Sequence, residues 1–156
     1  MKKLITMGAM LICAMALTSC GGAKDAAVSG ADPAQIAGVL NESVNFSEEL
    51  SEVSEDVILR RYGLDSNLVE AAAGYTGTPA VVDEIAVFKT TDVAAVEDAA
   101  DARIESQKTT YSSYAPGEMP KLDDAVVTTI GDCVVVCVSD DASAAVSDIL
   151  SAVAQN

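Results

Sequence analysis

The sequence predicts an α+β domain with an antiparallel sheet of about four strands and the element order α-α-β-β-α-β-β-α. Three observations carry that expectation. Two β-branched runs, 125–130 and 133–139, flank Gly131-Asp132, a dipeptide suited to a tight hairpin turn. From Asp92 onward the apolar period changes: Val93, Val96, Ala100, Ile104, Gln107, Tyr111 and Tyr114 recur at steps of three or four, which marks a long helix ending before Pro116. Half of the 156 residues are hydrophobic, so the chain is not an acidic disordered tail despite its charge of -15.

The remaining elements follow in order. Asp32-Pro33 reads as an N-cap followed by proline in the first helical turn, and Ile36, Val39, Leu40 and Val44 give helical spacing over 33–44. The acidic stretch 46–53 alternates imperfectly and reads as loop or a short turn. Ser54 can cap a second short helix with Glu55 and Asp56 in its first turn, continued through Tyr62 and stopped by Gly63. Segments 68–76 and 84–89 read as strands joined by a loop with Gly77 and Pro79. Two prolines and a glycine make 116–124 a connecting loop. A final helix over 142–154, capped by Asp140 or Asp141, presents Val146, Ile149, Leu150 and Val153 to the core.

Pairing across Gly131-Asp132 sets Ile130 opposite Cys133, Thr128 opposite Val135 and Val126 opposite Cys137. Both faces of that hairpin are then apolar, which is unusual for an antiparallel pair with one side in water. The expected cover for the second face is the N-terminal helical region, through Ile36, Val39 and Leu40. The alternative is a homodimer through an exposed hairpin face.

The N-terminus carries a different signal. Lys2 and Lys3 precede an almost wholly apolar stretch, 4–17, of 14 residues, shorter than the ~20 needed to span a bilayer. It ends in Leu17-Thr18-Ser19-Cys20, which resembles the lipobox of bacterial lipoproteins, where the cysteine receives a diacylglyceryl group and becomes the first mature residue. The resemblance implies a signal peptide over 1–19, a lipidated flexible tether over 20–31, a single domain over 32–156, and attachment to the extracytoplasmic side of the cell membrane through Cys20. Cleavage there leaves 137 residues and removes two lysines, so 7 basic and 24 acidic residues give -17. Such a domain has no electrostatic footprint for nucleic acid and is repelled by anionic headgroups.

A second resemblance rests on Asp83-Glu84-Ile85-Ala86-Val87-Phe88-Lys89, on Gln107 and Tyr111, and on Tyr114-Ala115-Pro116 with Glu118. These residues are similar to a small family of lipoproteins from Gram-positive bacteria whose domain has unknown function. The likeness spans 33–153 and implies a lipid-anchored domain without supplying an activity or ligand.

Chemistry-bearing residues are few. The chain has no His and no Trp, which removes the commonest general base and metal ligand and the best stacking surface for sugars. A serine nucleophile would need a lysine partner, and Lys89, Lys108 and Lys121 sit in no such motif. Cys133 and Cys137, four apart on one strand, are about 13 Å apart, too far for a disulfide, and read as buried thiols. The acidic pairs Asp83-Glu84, Asp123-Asp124 and Asp140-Asp141 lack the ligand pattern of a calcium loop and read as helix caps and solvated loops. No metal and no cofactor is expected. Gln107, Tyr111, Tyr114 and Glu118, where the long helix meets the proline segment, are the candidate ligand or partner surface, because polar-tipped aromatics favour interfaces; the competing reading is that the tyrosines finish the helix's core stripe. The expected function is a lipid-anchored, non-enzymatic binding or accessory module at the cell envelope, with an unknown protein or small-molecule partner. The alternatives are a solute-binding or sensory lipoprotein and, third, a carboxylate- or metal-dependent enzyme.

Overall fold

The Asp32 side chain accepts a hydrogen bond from the Ala34 amide at 3.0 Å and opens the first helix as expected. The computed structural model describes residues 32–153. The expected signal peptide, Cys20 and the expected tether therefore lie outside the described residues, as do residues 154–156 of the expected domain. Helix α1 (Pro33–Ser43) is followed by strand β1 (Ser51–Val53), helix α2 (Glu55–Tyr62), strands β2 (Val69–Thr76) and β3 (Glu84–Thr90) and the 22-residue helix α3 (Val93–Tyr114). A 3-10 turn (Pro116–Glu118) leads into the short helix α4 (Met119–Asp123), then strands β4 (Val126–Ile130) and β5 (Cys133–Val138) and helix α5 (Ala142–Val153).

The strands form one antiparallel sheet in the order β1-β2-β3-β5-β4. This is the expected α+β class with two differences. The acidic stretch before Ser54 supplies an additional edge strand, paired to β2 through Ser51–Thr76 and Val53–Gly74, giving five strands rather than about four. The proline segment holds a helical turn instead of loop throughout, because Pro116 and Pro120 both sit at starting positions that need no amide donor.

The hairpin register is the one the sequence predicts, and Gly131 makes its turn at φ 60°. Its two faces are covered from within the chain. On one face Cys133, Val135 and Cys137 join Ile36, Leu40 and Val146 in one apolar cluster, with α1 over β2 and β3 and α5 over β4 and β5. On the other, Val134, Val136 and Val138 pack with Phe88, Val96, Ala100 and Ile104 beneath α3, while α2 lies over β2. β5 is buried along its whole length. Among the described residues, both faces of the hairpin thus carry helices of the same chain. Ile36 and Leu40 join the cover of one face as expected, α5 shares that face, α3 closes the other, and Val39 departs from expectation at 42 % exposed. Val146 and Ile149 face the core as expected.

Gly74 is required by close approach. A Cβ there would overlap the carbonyl oxygen of Ile85 and crowd the Ile58 side chain at 3.2 Å, so the absent side chain lets α2 settle on the sheet.

Candidate functional site

Two adjacent carboxylates at the start of β3 organise a polar seam between the sheet and helices α2, α3 and α4. Asp83 is 1 % exposed and Glu84 4 %. Strand alternation sends them to opposite faces, and each is met by its own cation. Glu84 accepts from Arg103 Nη2 at 2.8 Å and from Arg103 Nε at 3.5 Å, and its Oε1 accepts from the Tyr62 hydroxyl at 2.5 Å. The Arg103 guanidinium also stands 5.7 Å over the Tyr62 ring, which packs edge-on against Phe88 at 4.8 Å. Burial, reinforced by the Glu84 charge, raises the Tyr62 phenol well above its ordinary range, with Arg103 opposing. The phenol is therefore a fixed donor.

Asp83 is held by Lys121, the hub of the second half. Lys121 Nζ lies 3.1 Å from Asp83 Oδ2, 3.0 Å from Glu118 Oε2 and 2.5 Å from Ser47 Oγ, so the three ammonium protons have three acceptors. Asp83 Oδ2 also accepts from the Ser47 amide at 3.3 Å, and Glu118 Oε2 from the Val82 amide at 3.1 Å. Asp83 Oδ1 is buried without a partner. Burial pulls the Lys121 pKa down, but the bonds to Glu118 and Asp83 outweigh it and the net shift is upward. A lysine nucleophile needs the opposite displacement, so this cation serves as a fixed charge and a triple donor.

Of the residues singled out from sequence, Glu118 belongs to this seam and Tyr111 meets the loop that leads into it. Gln107 is one of the buried residues of α3. The Tyr111 hydroxyl stands 3.0 Å from the carbonyl oxygens of both Pro79 and Val81 and ties down the β2–β3 loop. Glu118 ties the same loop through Val82 and shares Lys121 with Asp83. Tyr114 is 66 % exposed and stacks edge-on against Tyr111 at 5.8 Å. The structure thus brings Tyr111, Tyr114 and Glu118 to one end of the molecule. Three of the four residues are engaged internally, and Tyr114 turns its ring to solvent.

Sequence reading missed the seam's principal members. From sequence, Asp83 and Glu84 read as helix cap or solvated loop, Lys121 sits in no catalytic motif, and Arg103 carries no signal of its own. Their partners lie 38 and 19 residues away, beyond any local pattern. The one available signal was two acids opening a strand as apolar as 85–88. Asp123 does take a surface role, bridged by Lys108 at 3.2 Å. Cys133 and Cys137 are buried thiols as expected, and burial raises their pKa values to about 11 and about 12. Among the described residues no group of three or more His, Cys, Asp or Glu could hold a metal ion. No described helix is long and apolar enough to cross a membrane.

Comparison with curated proteins finds no match, and comparison with solved structures finds none. A family model does match, over residues 42–139, a span that includes all five strands, the whole seam and both tyrosines of α3. The chain belongs to that family, DUF4358, a domain of unknown function.

Proposed function

We propose that this chain is a lipid-anchored binding module displayed on the extracytoplasmic side of the cell membrane. The anchor rests on Lys2-Lys3, the apolar stretch 4–17 and Leu17-Thr18-Ser19-Cys20. A diacylglyceryl group at Cys20 supplies two chains, enough for lasting attachment where one chain holds only marginally.

Binding rather than catalysis is supported above all by one observation: the buried carboxylates Asp83 and Glu84 each meet a cation of the same chain. Asp83, Glu84, Arg103 and Lys121 are paired with one another, and Lys121 is held protonated. Those groups stabilise the fold and are not poised for proton transfer. What faces outward is acidic surface and the ring of Tyr114, features suited to recognition.

Cell fractionation with mass spectrometry tests the anchor. The native chain should be found in the membrane fraction with a lipid adduct on Cys20, and the Cys20→Ala variant should be released from it. An unmodified Cys20 on a cytoplasmic protein would sink this half. A photo-crosslinking residue at Tyr114 or Thr129 in intact cells tests the other half: a discrete adduct supports a binding module, and none at either position, with envelope traits unchanged on deletion, counts against it.

A further inference from the structure

We infer that the free edge of β4 is a strand-addition site for an extended, basic segment of a partner protein, a deepening that rests on the binding-module reading above. β4 ends the sheet, and no strand lies beyond it among the described residues. Ile130 and Cys133 close the two-residue turn, so alternation turns the N–H and C=O groups of Val127 and Thr129 away from β5. Edge strands are normally blunted by lysine, proline, a bulge or brevity. Val126–Ile130 has no charge and no proline, and its register against β5 is unbroken. The opposite edge, β1, is three residues long and carries Glu52.

A groove runs along each side of this edge. On the α3 side a cleft of about 460 Å³ has a floor of Ile104, Leu122 and Val127 and a rim of Asp101, Glu105 and Asp123. Lys108 bridges Glu105 and Asp123, at 3.3 and 3.2 Å, and leaves the rim net negative. Glu97 adds to it, accepting from Thr129 Oγ1 at 2.9 Å. On the α5 side a cleft of about 320 Å³ lies over Val126, Thr128 and Val146, edged by Ser143 and Ser147.

An added strand would place alternate side chains in the two clefts. The α3 cleft suits Lys or Arg, whose stem covers the apolar floor while the head meets the carboxylates. The α5 cleft suits small or β-branched residues. The occupant is therefore an extended segment alternating basic with small residues. A second copy is the poorer fit, because it would bring a like-charged rim and its own share of a -15 chain against this one.

The probe is a blocked octapeptide alternating Lys with Thr, titrated against the full chain, with hydrogen exchange followed along Val126–Ile130. Saturable, salt-weakened binding that protects Val127 and Thr129 is expected. Methylating alternate peptide nitrogens should weaken it at least about tenfold by removing main-chain bonds, and an alternating Glu–Thr peptide should not bind. The D101N/E105Q variant should keep its melting temperature and lose several-fold in affinity. Equal binding by the methylated peptide without β4 protection would overturn the inference, as would no binding at millimolar peptide. β4 protection through self-association would overturn it in favour of a second copy. If Thr129→Pro leaves the chain folded and a cellular adduct at Tyr114 survives it, the module binds elsewhere: this inference falls while the binding-module reading stands.

Discussion

The polar seam and the β4 edge use carboxylates in opposite ways. In the seam, Asp83 and Glu84 are removed from water and Glu118 is half-buried, and they are answered by Lys121, Arg103 and Tyr62 at 2.5–3.1 Å. At the β4 edge, Asp101, Glu105 and Asp123 stay in solvent around the single cation of Lys108. Desolvation makes the difference. A buried charge without its partner costs several kcal/mol, whereas an exposed pair contributes about 0–1 kcal/mol. The seam is therefore structurally obligatory, while the edge can exchange its contacts for those of a ligand.

The contrast is broken most severely at Lys121. Lys121→Met leaves Asp83 and Glu118 facing an apolar group and should cost about 3–5 kcal/mol in urea unfolding. The double variant D83N/K121M removes both charges and should regain much of that loss. Equal destabilisation of single and double variants would mean that the ion pair is not the source of the cost. On the other half, Glu84→Gln keeps the shape but weakens the bonds to Arg103 and Tyr62, for a loss of about 1.5–3 kcal/mol. Gly74→Ala should cost about 1–3 kcal/mol through overpacking between β2, β3 and α2. Lys108→Met at the exposed rim should stay within about 0.5 kcal/mol of native; a larger change would put the edge in the seam's class.

The buried thiols and Lys121 fix the direction of the pH response. Cys133 and Cys137 titrate at about 11 and about 12 in the fold, against about 8.5 for an unfolded thiol. Lys121 is raised as well. A raised folded value means that the native state holds protons the unfolded chain gives up, so these contributions are full below the unfolded values and fall as pH rises. Stability measured by urea unfolding should decline from about pH 8.5 upward as the two thiols ionise in the unfolded chain. A flat profile to pH 11 would contradict the burial of both thiols.

Local physics made much of the fold legible. Asp32-Pro33, Gly63 and Gly131-Asp132 act through their own backbone geometry, so α1, α2 and the hairpin register could be read from residues close in sequence. β1 escaped because Ser51-Glu52-Val53 has too little alternation to mark a strand, and its pairing partner lies more than 20 residues on. α4 escaped because Pro116 and Pro120 read as breakers when they stand at helix starts. Of the candidate surface, Tyr111 and Tyr114 were legible as polar-tipped aromatics at a helix end. The seam beneath them was not, since Asp83 and Lys121 meet only through tertiary packing.

The most direct measurement pairs the two regions in one experiment. D83N/K121M, confirmed folded by its amide spectrum, is carried in cells with a photo-crosslinking residue at Thr129 beside the β4 edge. If the seam serves the fold and recognition belongs to the surface, the variant gives the same adduct at the same yield as the native chain. A folded variant that loses the adduct would contradict that division and would make Asp83 and Lys121 part of the site itself.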